Sequence, residues 1–215
     1  MQIAIPLFDR FTALDAVGPY EVLSRLPDSR VDFVAAEPGI YRTDTRMLAL
    51  SVEHSYADVP KPDVLVFPGG IGTRALMHDE PTLEWVRAVH EQSRYTTSVC
   101  TGALVLGAAG VLKGLDATTH WMSRPILADL GARPVEQRVV EQGKIITAAG
   151  VSAGIDMALT LASRLAGPEV AQAIQLAIEY DPQPPFDAGS PHKAHPDLVE
   201  RMRGEESPLE NPVSS

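Results

Sequence analysis

"RYTTSVCTGALVLGAAG", residues 94–110, runs a β-branched segment into the chain's one cysteine and leaves it along small apolar residues. Thr96, Thr97 and Val99 favour extended backbone, whereas the alanines and leucines after Gly102 favour a helix. The pattern predicts a strand over 95–99 and a helix from about 101 to 112, with Cys100 on the turn between them. A side chain on such a turn projects over the edge of a sheet, and the turn is sharp enough to strain its backbone.

Working outward, "PDVLVFPGG" (62–70) is a near-continuous apolar run ending in Pro-Gly-Gly, the pattern of a strand buried on both faces. "QIAIPLF" (2–8) and "VDFVAAE" (31–37) read as further strands, and "MLALSVEHSY" (47–56) as an antiparallel one. "GPYEVLSRL" (18–26) reads as a short helix with Pro19 in its first turn. "PTLEWVRAVHEQS" (81–93) places Leu83, Val86 and Val89 on one helical face. "DATTHW" (116–121) suggests a short strand and "SRPILADLG" (123–131) a short helix. "VEQRVVEQGKIITAA" (135–149) suggests a hairpin about Gln142-Gly143. Two apolar helices over 152–167 and 168–180 follow.

Strands alternating with helices imply an α/β fold: a doubly wound, mostly parallel sheet flanked by helices. One domain spans 1–190. A polar, proline-rich tail over 191–215 wraps the surface or lacks order. In such sheets reactive groups gather at the carboxyl ends of the strands. Asp15, Gly69-Gly70 and Cys100 all fall at such ends, so residues up to 85 positions apart converge.

Composition narrows the function. The 215 residues carry a formal charge of −10, which opposes nucleic-acid binding because phosphate neutralisation needs a basic face. No apolar run reaches the roughly 20 residues of a membrane span, and the first residues lack the pattern of a signal peptide. A lone cysteine rules out an internal disulfide and fits a reducing, cytoplasmic setting.

Cys100 reads either as a buried structural thiol or as a nucleophile, and the strand–cysteine–helix context favours the nucleophile. The following helix points its positive end at the sulfur, which favours thiolate below the ordinary value of roughly 8.5. Backbone N–H groups of Gly70 and Thr101 are candidates to stabilise charge developing on a substrate, although Gly69-Gly70 alone also fits a plain tight turn. Asp15 is either a helix cap or, if the strand order sets it beside Cys100, a proton donor raised by burial and by the neighbouring charge. His120 is either a partner of Cys100 or a histidine packed beside Trp121. The remaining histidines show no metal-ligand spacing.

Taken together, "PDVLVFPGG", "TSVCTGALVLGAAGVL", "ATTHW" and "AAGVSAGIDMALTLASRLAG" resemble the ThiJ/PfpI superfamily, whose fold is related to the class I glutamine amidotransferases. "LDAVGPYEVL" and "QLAIEYDPQPPFDAGSP" are most similar to its isonitrile hydratase branch. Other branches usually carry a glutamate where Asp15 stands. The resemblance implies a cofactor-independent enzyme that adds water to a small hydrophobic isonitrile to give an N-substituted formamide. It implies Cys100 as nucleophile, Asp15 as general acid, and Thr101 as a hydroxyl and N–H supplier. His120 has a supporting part, and Gly150-Val151 borders the site. A homodimer is expected, as is usual in the superfamily. The alternatives are a glyoxalase- or deglycase-like cysteine enzyme and a non-enzymatic module in which Cys100 oxidises.

Overall fold

The computed structural model describes residues 1–204. In chain order they form β1 (Gln2–Pro6), α1 (Ala13–Leu23), β2 (Arg30–Ala35), β3 (Gly39–Arg42), β4 (Ala49–Val52), β5 (His54–Ser55) and β6 (Val64–Phe67). Next come α2 (Thr73–Leu76), α3 (Glu80–Gln92), β7 (Tyr95–Val99), α4 (Gly102–Ala108), β8 (Asp116–Ala117) and a 3-10 turn (Trp121–Ser123). The remainder is α5 (Arg124–Asp129), β9 (Arg133–Pro134), β10 (Val139–Gln142), β11 (Ile145–Ala148), α6 (Ala153–Ala166), α7 (Pro168–Ala177) and α8 (Pro196–Gly204).

Seven strands make the main sheet in the order β10-β11-β7-β6-β1-β2-β5. All neighbours run parallel except β10, which returns on β11 as the expected hairpin. α1 packs on α6 over the sheet, with α7 outside, while α2 to α5 group around α4. Both faces are thereby covered, which is why every residue of β6, Val64 to Phe67, is fully buried. Burying each of those four side chains contributes on the order of 2 kcal/mol, so the centre of the sheet is the firmest platform in the molecule. β6 and β7 sit side by side there with β1 next to β6, and all three deliver their carboxyl ends to one edge.

Several boundaries differ from expectation. α1 begins at Ala13, five residues earlier than read, and holds Pro19 in its interior. Pro19 gives up one backbone bond there, but α1 is buried against α6, and that packing outweighs the local penalty. The segment 47–56 is not one strand. β4 pairs antiparallel with β3, and after Glu53 the chain moves to the main sheet, where β5 runs parallel to β2. α4 stops at Ala108 rather than near 112, because Gly110 turns left-handed (φ 83°). Gly110 N–H then bonds Gly107 O at 2.8 Å and Val111 N–H bonds Leu106 O at 3.0 Å, a Schellman stop. β8 covers only Asp116–Ala117 and pairs with β9 outside the main sheet, leaving His120 in the loop beyond. Part of the expected irregular tail is helical, α8, with Arg203 over the Trp121 ring at 5.7 Å. Residues 205–215 of that tail lie outside the described residues.

Candidate active site

Cys100 ends β7 with φ 55°, a left-handed conformation that costs a non-glycine residue about 1–2 kcal/mol. The surroundings hold it there. Its N–H donates to Ala148 O at 3.1 Å and Ala149 O at 2.9 Å, and its carbonyl accepts the Thr119 hydroxyl at 2.8 Å. Gly102 then lies against the end of β6, where any Cβ would collide with the Phe67 carbonyl oxygen. Only glycine lets the turn and β6 approach this closely.

Asp15 occupies the first turn of α1, fully buried, and makes no cap to its own helix. Its Oδ2 instead accepts the Gly69 N–H at 2.9 Å, which anchors it to the end of β6. A Cβ on Gly69 would stand 2.6 Å from Thr101 N and 2.7 Å from Asp15 Oδ2, so this glycine also exists to let groups meet. Among the described residues, the buried Asp15 Oδ1 atom has no hydrogen-bond partner. Burial raises the Asp15 pKa to about 7, the Gly69 and Cys100 bonds lower it, and the Asp44 charge raises it again.

The electrostatics of Cys100 overturn one expectation. Burial and then the Asp15 charge push the thiol well above its ordinary value, and the N–H groups of Val151 and Thr101 pull the other way without prevailing. A seven-residue helix is too weak a dipole to offset full desolvation and an adjacent carboxylate. Of the two candidate donors, Thr101 N–H faces the sulfur and Gly70 N–H is otherwise engaged. The Gly70 N–H is already given to Thr101 Oγ1 at 2.9 Å, and that hydroxyl donates back to Gly70 O at 3.1 Å. Gly70 N–H and the Thr101 hydroxyl are thus engaged with each other. The N–H pair that faces the sulfur belongs to Thr101 and Val151.

A cavity of about 200 Å³ opens on this edge, with Cys100, Thr101, Gly70, His120 and Val151 in its wall. Asp15 does not line it but is hydrogen-bonded to Cys100, which does. His120 packs on Gly150, whose absent Cβ leaves room for the ring at 3.0 Å. Burial and then Arg74 and Arg124 hold the imidazole below its ordinary pKa. The rest of the wall, including Thr12, Asp44, Ile71, Arg74, Met122 and Ile126, was not singled out from sequence. Ile71 and Arg74 follow Gly70 at a strand's carboxyl end, a signal that could have found them. Asp44 arrives on the β3–β4 connection, where its Oδ2 accepts the Thr12 hydroxyl at 2.8 Å, and no local pattern marks it. Among the described residues no group of His, Cys, Asp or Glu side chains converges as a metal site, and no helix is long and apolar enough to cross a membrane.

Residues 1–164 match the model of the DJ-1/PfpI family. This chain belongs to the DJ-1/PfpI family. Its relatives include the isonitrile hydratase of Pseudomonas putida, 47% identical over 208 residues, which covers 97% of this chain and 91% of that one. Among solved DJ-1/PfpI structures, a ThiJ/PfpI family protein from Pseudomonas syringae superposes with a TM-score of 0.91 at 38% identity, covering 94% of this chain and 84% of that one. Drosophila melanogaster DJ-1beta superposes with a TM-score of 0.77 at 23% identity, over 84% of this chain and 98% of that one, and shares the fold.

Proposed function

We propose that this DJ-1/PfpI protein is an isonitrile hydratase. The 47% identity to the Pseudomonas putida isonitrile hydratase across nearly the whole chain carries the reading, since a buried carboxyl beside a thiol would serve several chemistries. The geometry supports it. The cavity is small and partly apolar, with the thiol in its wall and a carboxyl of raised pKa hydrogen-bonded to that thiol.

In this reading the isonitrile's terminal carbon meets the sulfur. The S–C bond forms as the proton held between Cys100 and Asp15 passes to that carbon, giving a neutral thioimidate, R–N=CH–S. No charge has to leave the buried site, which suits a thiol that resists ionisation. Water then adds to the same carbon and one of its protons goes to nitrogen. The C–S bond breaks, the remaining hydroxyl proton returns to the Asp15–Cys100 pair, and R–NH–CHO departs. Because Asp15 lies outside the cavity wall, it acts through the sulfur's proton rather than by touching the substrate's distal part. The Thr101 and Val151 N–H groups stabilise sulfur as it loses its proton.

A redox-sensing role finds less support, because ready oxidation follows thiolate character and exposure, and here the thiol is buried and both burial and the Asp15 charge disfavour the thiolate. The test is formamide absorbance with an aromatic isonitrile, for wild type, Cys100→Ala and Asp15→Asn. Turnover in the wild type alone is expected. No turnover in the wild type overturns the reading. The family resemblance adds a homodimer, and sedimentation at the monomer mass of 23.1 kDa would remove that part.

A further inference from the structure

We infer that the hydroxyl of Thr119 is a positioning group for the reaction, because it fixes the peptide plane that links Cys100 to Thr101. Thr119 lies in the loop after β8, fully buried, and donates to the Cys100 carbonyl at 2.8 Å. The other contact to that carbonyl, from Ala103 N–H, is long at 3.5 Å. The Cys100 carbonyl and the Thr101 N–H belong to one planar, trans peptide and point in opposite directions. Whatever holds the oxygen therefore aims the N–H, and that N–H is one of the two facing the sulfur.

Both flanks of the plane are fixed independently. On the Cys100 side, its own N–H is held by Ala148 and Ala149. On the Thr101 side, the side chain is locked to Gly70. The loop carrying Thr119 is itself pinned, since Thr118 N–H donates to Thr147 Oγ1 on β11 at 2.9 Å. Among the described residues, Thr119 is the one side chain that hydrogen-bonds this carbonyl. A left-handed residue stores strain that its partners must restrain, so losing the hydroxyl lets the plane swing away from the sulfur.

The proposal's catalytic half rests on the proposed hydratase activity, while its thiol half does not. The titratable and charged groups around the sulfur are Asp15 on α1, Asp44 between β3 and β4, Arg74 on α2, Arg124 on α5 and His120 after β8. None of them is altered by changing Thr119. Cys100 is the sole thiol, so its alkylation by iodoacetamide reads one site without ambiguity.

The test compares Thr119→Val, which keeps the shape, with Thr119→Ser, which keeps the hydroxyl. With Val, the rate of alkylation at a fixed pH of about 8 is expected to fall several-fold, and kcat for an aromatic isonitrile to fall roughly 10-fold with KM little changed. Ser is expected to restore both. Should Val not fold, Thr119→Ala replaces it in both assays. A hydroxyl-free variant that folds and alkylates at the wild-type rate overturns the proposal, as does a Ser variant as impaired as Val. If the wild type hydrates no isonitrile, the hydratase reading fails, and the alkylation comparison still decides the role of Thr119.

Discussion

Asp15 is the residue on which the chemistry turns, and it has a measurable cost. Its pKa is near 4 in an unfolded chain and about 7 in the folded one, mainly because burial disfavours the carboxylate. Between those values the folded protein holds more protons than the unfolded one. Stability is therefore full below about pH 4 and falls as pH rises towards 7. The accumulated loss above pH 7 is on the order of 4 kcal/mol. Asp15→Asn removes the titration while keeping an acceptor for the Gly69 N–H. We expect urea unfolding of this variant to show a flatter pH dependence from 4 to 7 and a higher midpoint than wild type at pH 8. Parallel profiles for the two proteins would mean that Asp15 titrates near its ordinary value. The residue pays in stability for a proton held next to sulfur. Sequence alone made Asp15 ambiguous, because nothing in "ALDAVGPY" says that the Gly69 N–H, 54 residues away, takes the place of a helix cap.

At the scale of elements, α4 shows how two glycines in one helix serve different ends. Gly102 at its start faces the β6 backbone, where a methyl group has no room. Gly110 beyond its end faces open space but holds φ 83°. Gly110→Ala should cost about 1 kcal/mol, the ordinary penalty for a left-handed residue. Gly102→Ala should cost about 3 kcal/mol or more, since backbone must move, and it should abolish turnover by displacing Cys100. Chemical denaturation of both variants checks the order, and equal costs would contradict the close approach. This distinction was half legible. The small residues after Cys100 announced a tight turn, whereas the length of the helix depended on a Schellman stop that periodicity does not reveal. The polarity of the thiol was not legible at all. A helix beginning after a cysteine suggests thiolate, but burial and a carboxylate from a distant element decide the matter.

Over the whole molecule, the parallel order β7-β6-β1 is what turns scattered residues into one site. The convergence at one edge was readable, because alternating strands and helices imply a parallel sheet that gathers reactive groups there, but the strand order that sets Asp15 beside Cys100 was not. What the sequence could not supply was the allocation of backbone hydrogen bonds within that edge. Gly70 N–H, a candidate to face a substrate, is given to Thr101 Oγ1, while Val151 N–H reaches the sulfur from the start of the turn into α6. Cavity walls contributed by α2, the β3–β4 connection and the 3-10 turn escaped for the same reason: they are assembled by tertiary packing. The central claim is that an isonitrile adds as a whole to Cys100 and leaves as a formamide. Intact-mass spectrometry of the protein quenched during turnover tests it most directly. The account predicts a transient adduct on Cys100 equal to the full mass of the isonitrile, absent from Cys100→Ala and gone once substrate is consumed. Formamide production with no adduct at any quench time, or continuing in Cys100→Ala, would contradict it.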